Sequence, residues 1–109
     1  MHDILIIGAG VTGACIAREL SKYDLDILVL EKNNDVADET TKANSAIIHA
    51  GFDAKPGTLM AKMNVRGNEL LYKLAPELDF PVKQNGSLVV CTVEAERGKL
   101  DILLEQANK

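Results

Sequence analysis

Three glycines and one carboxylate carry the first recognisable chemistry in this 109-residue sequence. Gly8-Ala9-Gly10-Val11-Thr12-Gly13 directly follows an apolar run, and Glu31 stands 18 residues after Gly13, at the end of a second apolar run. Gly8 permits a tight turn, Gly10 lets the backbone approach a pyrophosphate, and Gly13 with Ala17 lets a helix lie close to a sheet. The N–H groups opening that helix, at Val11 and Thr12, face the phosphates with the positive end of the helix dipole. A carboxylate at Glu31 accepts hydrogen bonds from ribose hydroxyls and repels a 2′-phosphate, so the pattern predicts FAD or NAD rather than NADP. It does not separate FAD from NAD. His49 offers an imidazole, the side-chain type suited to accepting a proton near neutral pH; taken alone it reads as a packed or hydrogen-bonded histidine, with a base as the other reading. Cys15 and Cys91 lie far apart and in no Cys/His cluster, which predicts neither a metal site nor a disulfide framework, and a reduced intracellular setting.

These groups need a strand, a turn, a helix and a second strand to hold them. Ile4 to Ile7 is continuously apolar and mostly β-branched, as in a strand buried on both faces. Residues 11 to 22 read as a helix, with Val11, Ala14, Cys15 and Leu20 at helical spacing and Arg18, Glu19 and Lys22 towards solvent. Ile27 to Leu30 is the second strand, completing a βαβ unit of about 30 residues. The polar stretch from Lys32 to Asn44 reads as a loop. Beyond it the pattern predicts a helix over 58–75 with Leu59, Met63, Leu70 and Leu74 on one side, interrupted by Pro76 and Pro81. A turn follows at Asn85-Gly86, then a strand over 87–93 and an amphipathic helix over 94–107 carrying Leu100, Leu103 and Leu104.

A chain with 47% hydrophobic residues, 12 basic and 16 acidic side chains has the composition of an ordinary globular domain. Such a chain can bury roughly two thirds of its surface on folding. The net charge of −4 and the absence of any basic run argue against nucleic acid as a partner. No signal peptide is expected, and no apolar stretch approaches the roughly 18 residues that cross a bilayer. The sequence stops at the last helical pattern without further strand and helix pairs and reads as the front of a longer protein; a complete small α/β domain is the other reading.

The stretch from Glu39 through Asp53, ETTKANSAIIHAGFD, with LVLEK before it and KPGTLMAKMNVRGNELL and NGSLVV after it, resembles the FAD-dependent glycerol-3-phosphate dehydrogenase and oxidase family. That family sits within the group that includes D-amino-acid oxidase and L-2-hydroxyglutarate oxidase. The resemblance implies an α/β fold: a Rossmann-like FAD-binding βαβ unit plus the start of a substrate domain, with 1–75 the N-terminal part of the FAD-binding domain and 76–109 the beginning of a substrate or cap domain. It implies that Gly8, Gly10, Val11, Thr12, Gly13, Glu31, Lys32, Thr40, Thr41, Asn44 and Ser45 serve FAD. It makes His49 the base for oxidation of glycerol 3-phosphate to dihydroxyacetone phosphate, with a covalent attachment of flavin through this histidine as a second role. Ala46 stands where similar sequences usually have glycine. L-2-hydroxyglutarate is the alternative substrate, and a dinucleotide-binding module without catalysis the alternative class. Quinone or oxygen would accept the electrons, in the cytoplasm or peripherally at the inner face of the membrane.

Overall fold

The computed structural model describes residues 1–108. They form two compact units, Met1–Ala46 and a second that begins at Ile47.

In the first unit, strand β1 (Ile4–Ile7) leads into helix α1 (Val11–Leu20), and the chain returns as strand β2 (Ile27–Leu30). The two strands pair in parallel, Ile4 opposite Ile27 and Ile7 opposite Leu30, and the Gly8 N–H extends the ladder by donating to the Leu30 carbonyl at 2.7 Å. Both strands begin at a tie: the Asp3 N–H donates to the Asp26 carbonyl at 2.9 Å, the Asp26 N–H donates to the Asp3 carboxylate at 2.9 Å, and His2 Nδ1 lies 3.0 Å from Asp26 Oδ1.

Two expectations are corrected here. β1 is buried on one face only: Ile6 is 8% exposed, whereas Leu5 and Ile7 are 52% and 84% exposed. Successive strand residues point to opposite faces, and α1 covers the Ile6 face alone within this unit. Along α1, Gly13 is buried and Ala17 half-buried, as the glycine pattern expects, and Leu20 is half-buried, whereas Val11, Ala14 and Cys15, expected among the apolar residues of the helix, are exposed. A Cβ built on Gly13 would lie 2.0 Å from the Gly8 carbonyl oxygen, with Ile6 Cγ2 at 3.4 Å. The absence of a side chain therefore sets the packing face.

In the second unit, α2 (Leu59–Glu77) is capped by the Thr58 hydroxyl, which accepts from the Ala61 N–H at 3.3 Å. The helix runs through Pro76 instead of stopping before it, because Pro76 falls in the last turn, where losing one N–H costs one bond and the helix ends at the next residue. Its apolar residues Leu59, Met63 and Leu70 are exposed, and Ala75 is the buried position. Gly51, at φ +96°, lets the preceding turn approach Val65 of α2, whose Cγ2 would be 2.7 Å from any Cβ there. The strand expected over 87–93 is absent from the structure, and Leu88 and Val90 are exposed. A strand exists only when its backbone is paired, and among the described residues no ladder includes 87–93. A 3₁₀ turn (Glu94–Glu96) opens α3 (Arg97–Ala107), on which Leu100 and Leu103 are half-buried and Leu104 is exposed. Among the described residues, no helix is long and apolar enough to cross a membrane.

Candidate functional site

The site is built in the first unit, around the turn that joins β1 to α1. Gly8 adopts φ +98°, a left-handed conformation that favours glycine, and reverses the chain at the strand end. Gly10 is the N-cap of α1 and supplies no side-chain acceptor to its first turn. Thr41, from the loop after β2, supplies one instead: its Oγ1 accepts the Val11 N–H at 3.0 Å. The same hydroxyl would lie 3.1 Å from a Cβ on Gly10, so a side chain there would crowd the loop that closes over the turn.

Glu31, at the end of β2, binds the backbone on both sides of the site. One carboxylate oxygen accepts the Ala9 N–H at 2.8 Å. The other accepts the N–H groups of Lys32 at 2.8 Å and Asn33 at 3.0 Å. Ala9 is tied a second time, its carbonyl accepting the Ala37 N–H at 3.1 Å. The Asn33 N–H, then those of Ala9 and Lys32, hold the Glu31 carboxyl below the usual carboxylate range and keep it ionised. An ionised carboxylate has about four acceptor positions, so one remains for a hydroxyl.

Between these walls lies an open pocket of about 350 Å³. Gly8, Gly10, Thr40 and Thr41 line one side, and Glu31 and Lys32 another. Gly13 is buried behind the turn, and Val11 and Thr12 stand exposed on the first turn of α1. Asn44 and Ser45 do not line the pocket. Asn44 folds back locally, donating to the Thr41 carbonyl at 2.5 Å and accepting the Ala46 N–H at 2.7 Å. Ala46 has φ 54°, a left-handed backbone at the position where the sequence replaces an expected glycine.

Asn33, Ala37, Asp38 and Glu39 also line the pocket, and sequence reasoning passed over all four. Lys32 Nζ lies 2.5 Å from Glu39 Oε1, a pairing seven residues apart that no helical spacing reveals. Glu39 raises the Lys32 pKa, and Lys32 first, then Asn33, lowers that of Glu39.

His49 belongs to the second unit and is exposed. Its Nδ1 is 3.9 Å from Asp53 Oδ2, and its carbonyl accepts from Asn68 Nδ2 of α2 at 3.0 Å. Cys15 and Cys91 are free thiols.

A parallel βαβ unit with a glycine turn, a helix N-terminus and an ionised acid at the second strand end defines a dinucleotide-binding protein. The chain belongs to the FAD dependent oxidoreductase family (DAO), whose pattern matches residues 3–109. It is 57% identical over 106 residues to a glycerol 3-phosphate dehydrogenase of Caloramator mitchellensis, covering 97% of this chain and 22% of that protein. It is 43% identical over 102 residues to the mitochondrial L-2-hydroxyglutarate dehydrogenase of Arabidopsis thaliana, covering 94% of this chain and 21% of that protein. The dithionite-reduced L-alpha-glycerophosphate oxidase from Mycoplasma pneumoniae, solved with FAD bound, superposes with a TM-score of 0.87 at 38% identity, over 98% of this chain and 28% of that one. The chain thus spans about a quarter of the length of these relatives.

Proposed function

We propose that this chain supplies the FAD-binding front of a flavoprotein that oxidises glycerol 3-phosphate to dihydroxyacetone phosphate. The observation that carries the cofactor assignment is the convergence of Gly8, Gly10, Glu31 and Thr41 on one pocket. These residues fit a dinucleotide: a Cβ at Gly10 or Gly13 would fill the approach or part the helix from the strand, and Glu31 keeps one acceptor position for a ribose hydroxyl. Gly8, Gly10 and the first turn of α1 would hold the pyrophosphate, with Thr40 and Thr41 beside it and Asn44 and Ser45 further along the same loop. Residues 1–75 are assigned to the FAD-binding domain, and 76–109 begin the substrate or cap domain.

When bound, FAD supplies the two-electron acceptor. His49 takes the hydroxyl proton as the alcohol carbon is oxidised, a task suited to an imidazole near neutral pH. Asp53 lies on its Nδ1 side, which leaves Nε2 for the substrate. Quinone or oxygen receives the electrons, in the cytoplasm or at the inner face of the membrane.

The 57% identity to a glycerol 3-phosphate dehydrogenase favours that substrate. The 43% identity to an L-2-hydroxyglutarate dehydrogenase supports a second reading, in which a carboxylate replaces the phosphate. Anaerobic mixing of the full-length protein with each compound separates the two. Bleaching of the flavin band by glycerol 3-phosphate alone is the expected result, and bleaching only by L-2-hydroxyglutarate would reverse the assignment.

A further inference from the structure

The pocket holds a second charged determinant besides Glu31. Among the described residues that line it, three are carboxylates, Glu31, Asp38 and Glu39, and one is an ammonium, Lys32. Glu39 occupies that ammonium, with Oε1 at 2.5 Å from Lys32 Nζ, and also accepts from Asn33 Nδ2 at 3.3 Å. Lys42, the next cation along the loop, is held by Asp38 at 2.8 Å.

A pocket that accepts a 2′-phosphate on the ribose needs a cation to meet the added charge, and a lysine beside the ribose acid is well suited to do so. This pocket has the lysine and keeps it engaged. We propose that Glu39 is a specificity-determining residue for the ribose end of the cofactor: by pairing with Lys32 it denies that ammonium to a 2′-phosphate. The proposal rests on the pocket being a dinucleotide site. An exposed ion pair contributes little to stability. Its effect on selectivity is larger, because Glu39→Gln removes a repelling charge and releases an attracting one at the same point.

Calorimetric titration of the full chain, freed of flavin, with ADP-ribose and with 2′-phospho-ADP-ribose tests this. The wild type should prefer ADP-ribose. Glu39→Gln should move the ratio of the two affinities towards the phosphorylated ligand by about fivefold or more, and the shift should shrink at about 0.5 M salt. The double variant Lys32→Met with Glu39→Gln should lose it. An unmoved ratio in Glu39→Gln overturns the proposal while leaving the site standing, and a shift that persists without Lys32 overturns it too. Failure of the wild type to bind ADP-ribose removes the dinucleotide reading itself.

Discussion

The Glu31 carboxylate fastens the glycine turn to the loop after β2 through three backbone N–H groups, and the proposed reading gives its remaining acceptor position to a ribose hydroxyl. Glu31→Ala should therefore weaken FAD binding roughly ten- to hundredfold; unchanged affinity in a flavin titration would remove the ribose assignment. Because the folded carboxyls of Glu31 and Glu39 titrate below their unfolded values, what they add to the pocket is present above the ordinary carboxylate range and lost as pH falls through the lowered folded values. Lys32 has the opposite sign: its raised pKa keeps its contribution in place until pH climbs beyond the ordinary lysine range. Flavin affinity should thus be level through neutral pH and decline in acid, with a flatter acid limb in Glu31→Gln. For His49, loss of a general base is worth typically 10² to 10⁴ in rate. His49→Ala should slow flavin reduction in single turnovers by that order while the full-length protein stays yellow, whereas loss of flavin on purification would make the histidine a cofactor ligand or tether.

At the level of elements, the closest joint is between β1 and α1. Gly13→Ala forces a methyl group against the Gly8 carbonyl and should cost about 1–3 kcal/mol, as overpacking does, read as a lowered urea midpoint together with weaker flavin retention. Ala46→Gly should act in the other direction. A left-handed alanine costs roughly 1–2 kcal/mol, of which the extra chain entropy of glycine takes back part, so a gain of up to about 1 kcal/mol is expected in the same measurement. β1, α1 and β2 were legible because their apolar spacing and the glycine pattern are local. The exposed side of β1 was not, since a run such as Ile4 to Ile7 reads the same whether one face or both are covered. Residues 87–93 carry strand-like side chains, yet strand formation is a property of a pair and not of a segment. Within the pocket, Gly8, Gly10, Glu31 and Thr41 could be read from motif and resemblance, but Glu39 could not, because its partner is set by a turn and not by a period.

For the whole molecule, the chain spans about a quarter of the relatives it matches, and Leu5, Ile7 and Leu30 stay exposed on the paired strands. Residues 1–109 alone should show no glycerol-3-phosphate dehydrogenase activity even with FAD added, because catalysis needs cofactor, base and substrate anchors in one geometry; dye reduction dependent on both FAD and substrate would show that the site is already complete. The pocket is also local in sequence, since every residue lining it lies between Ile7 and Thr41. Its whole lining thus falls inside the first compact unit, and neither α2 nor α3 contributes a residue to it.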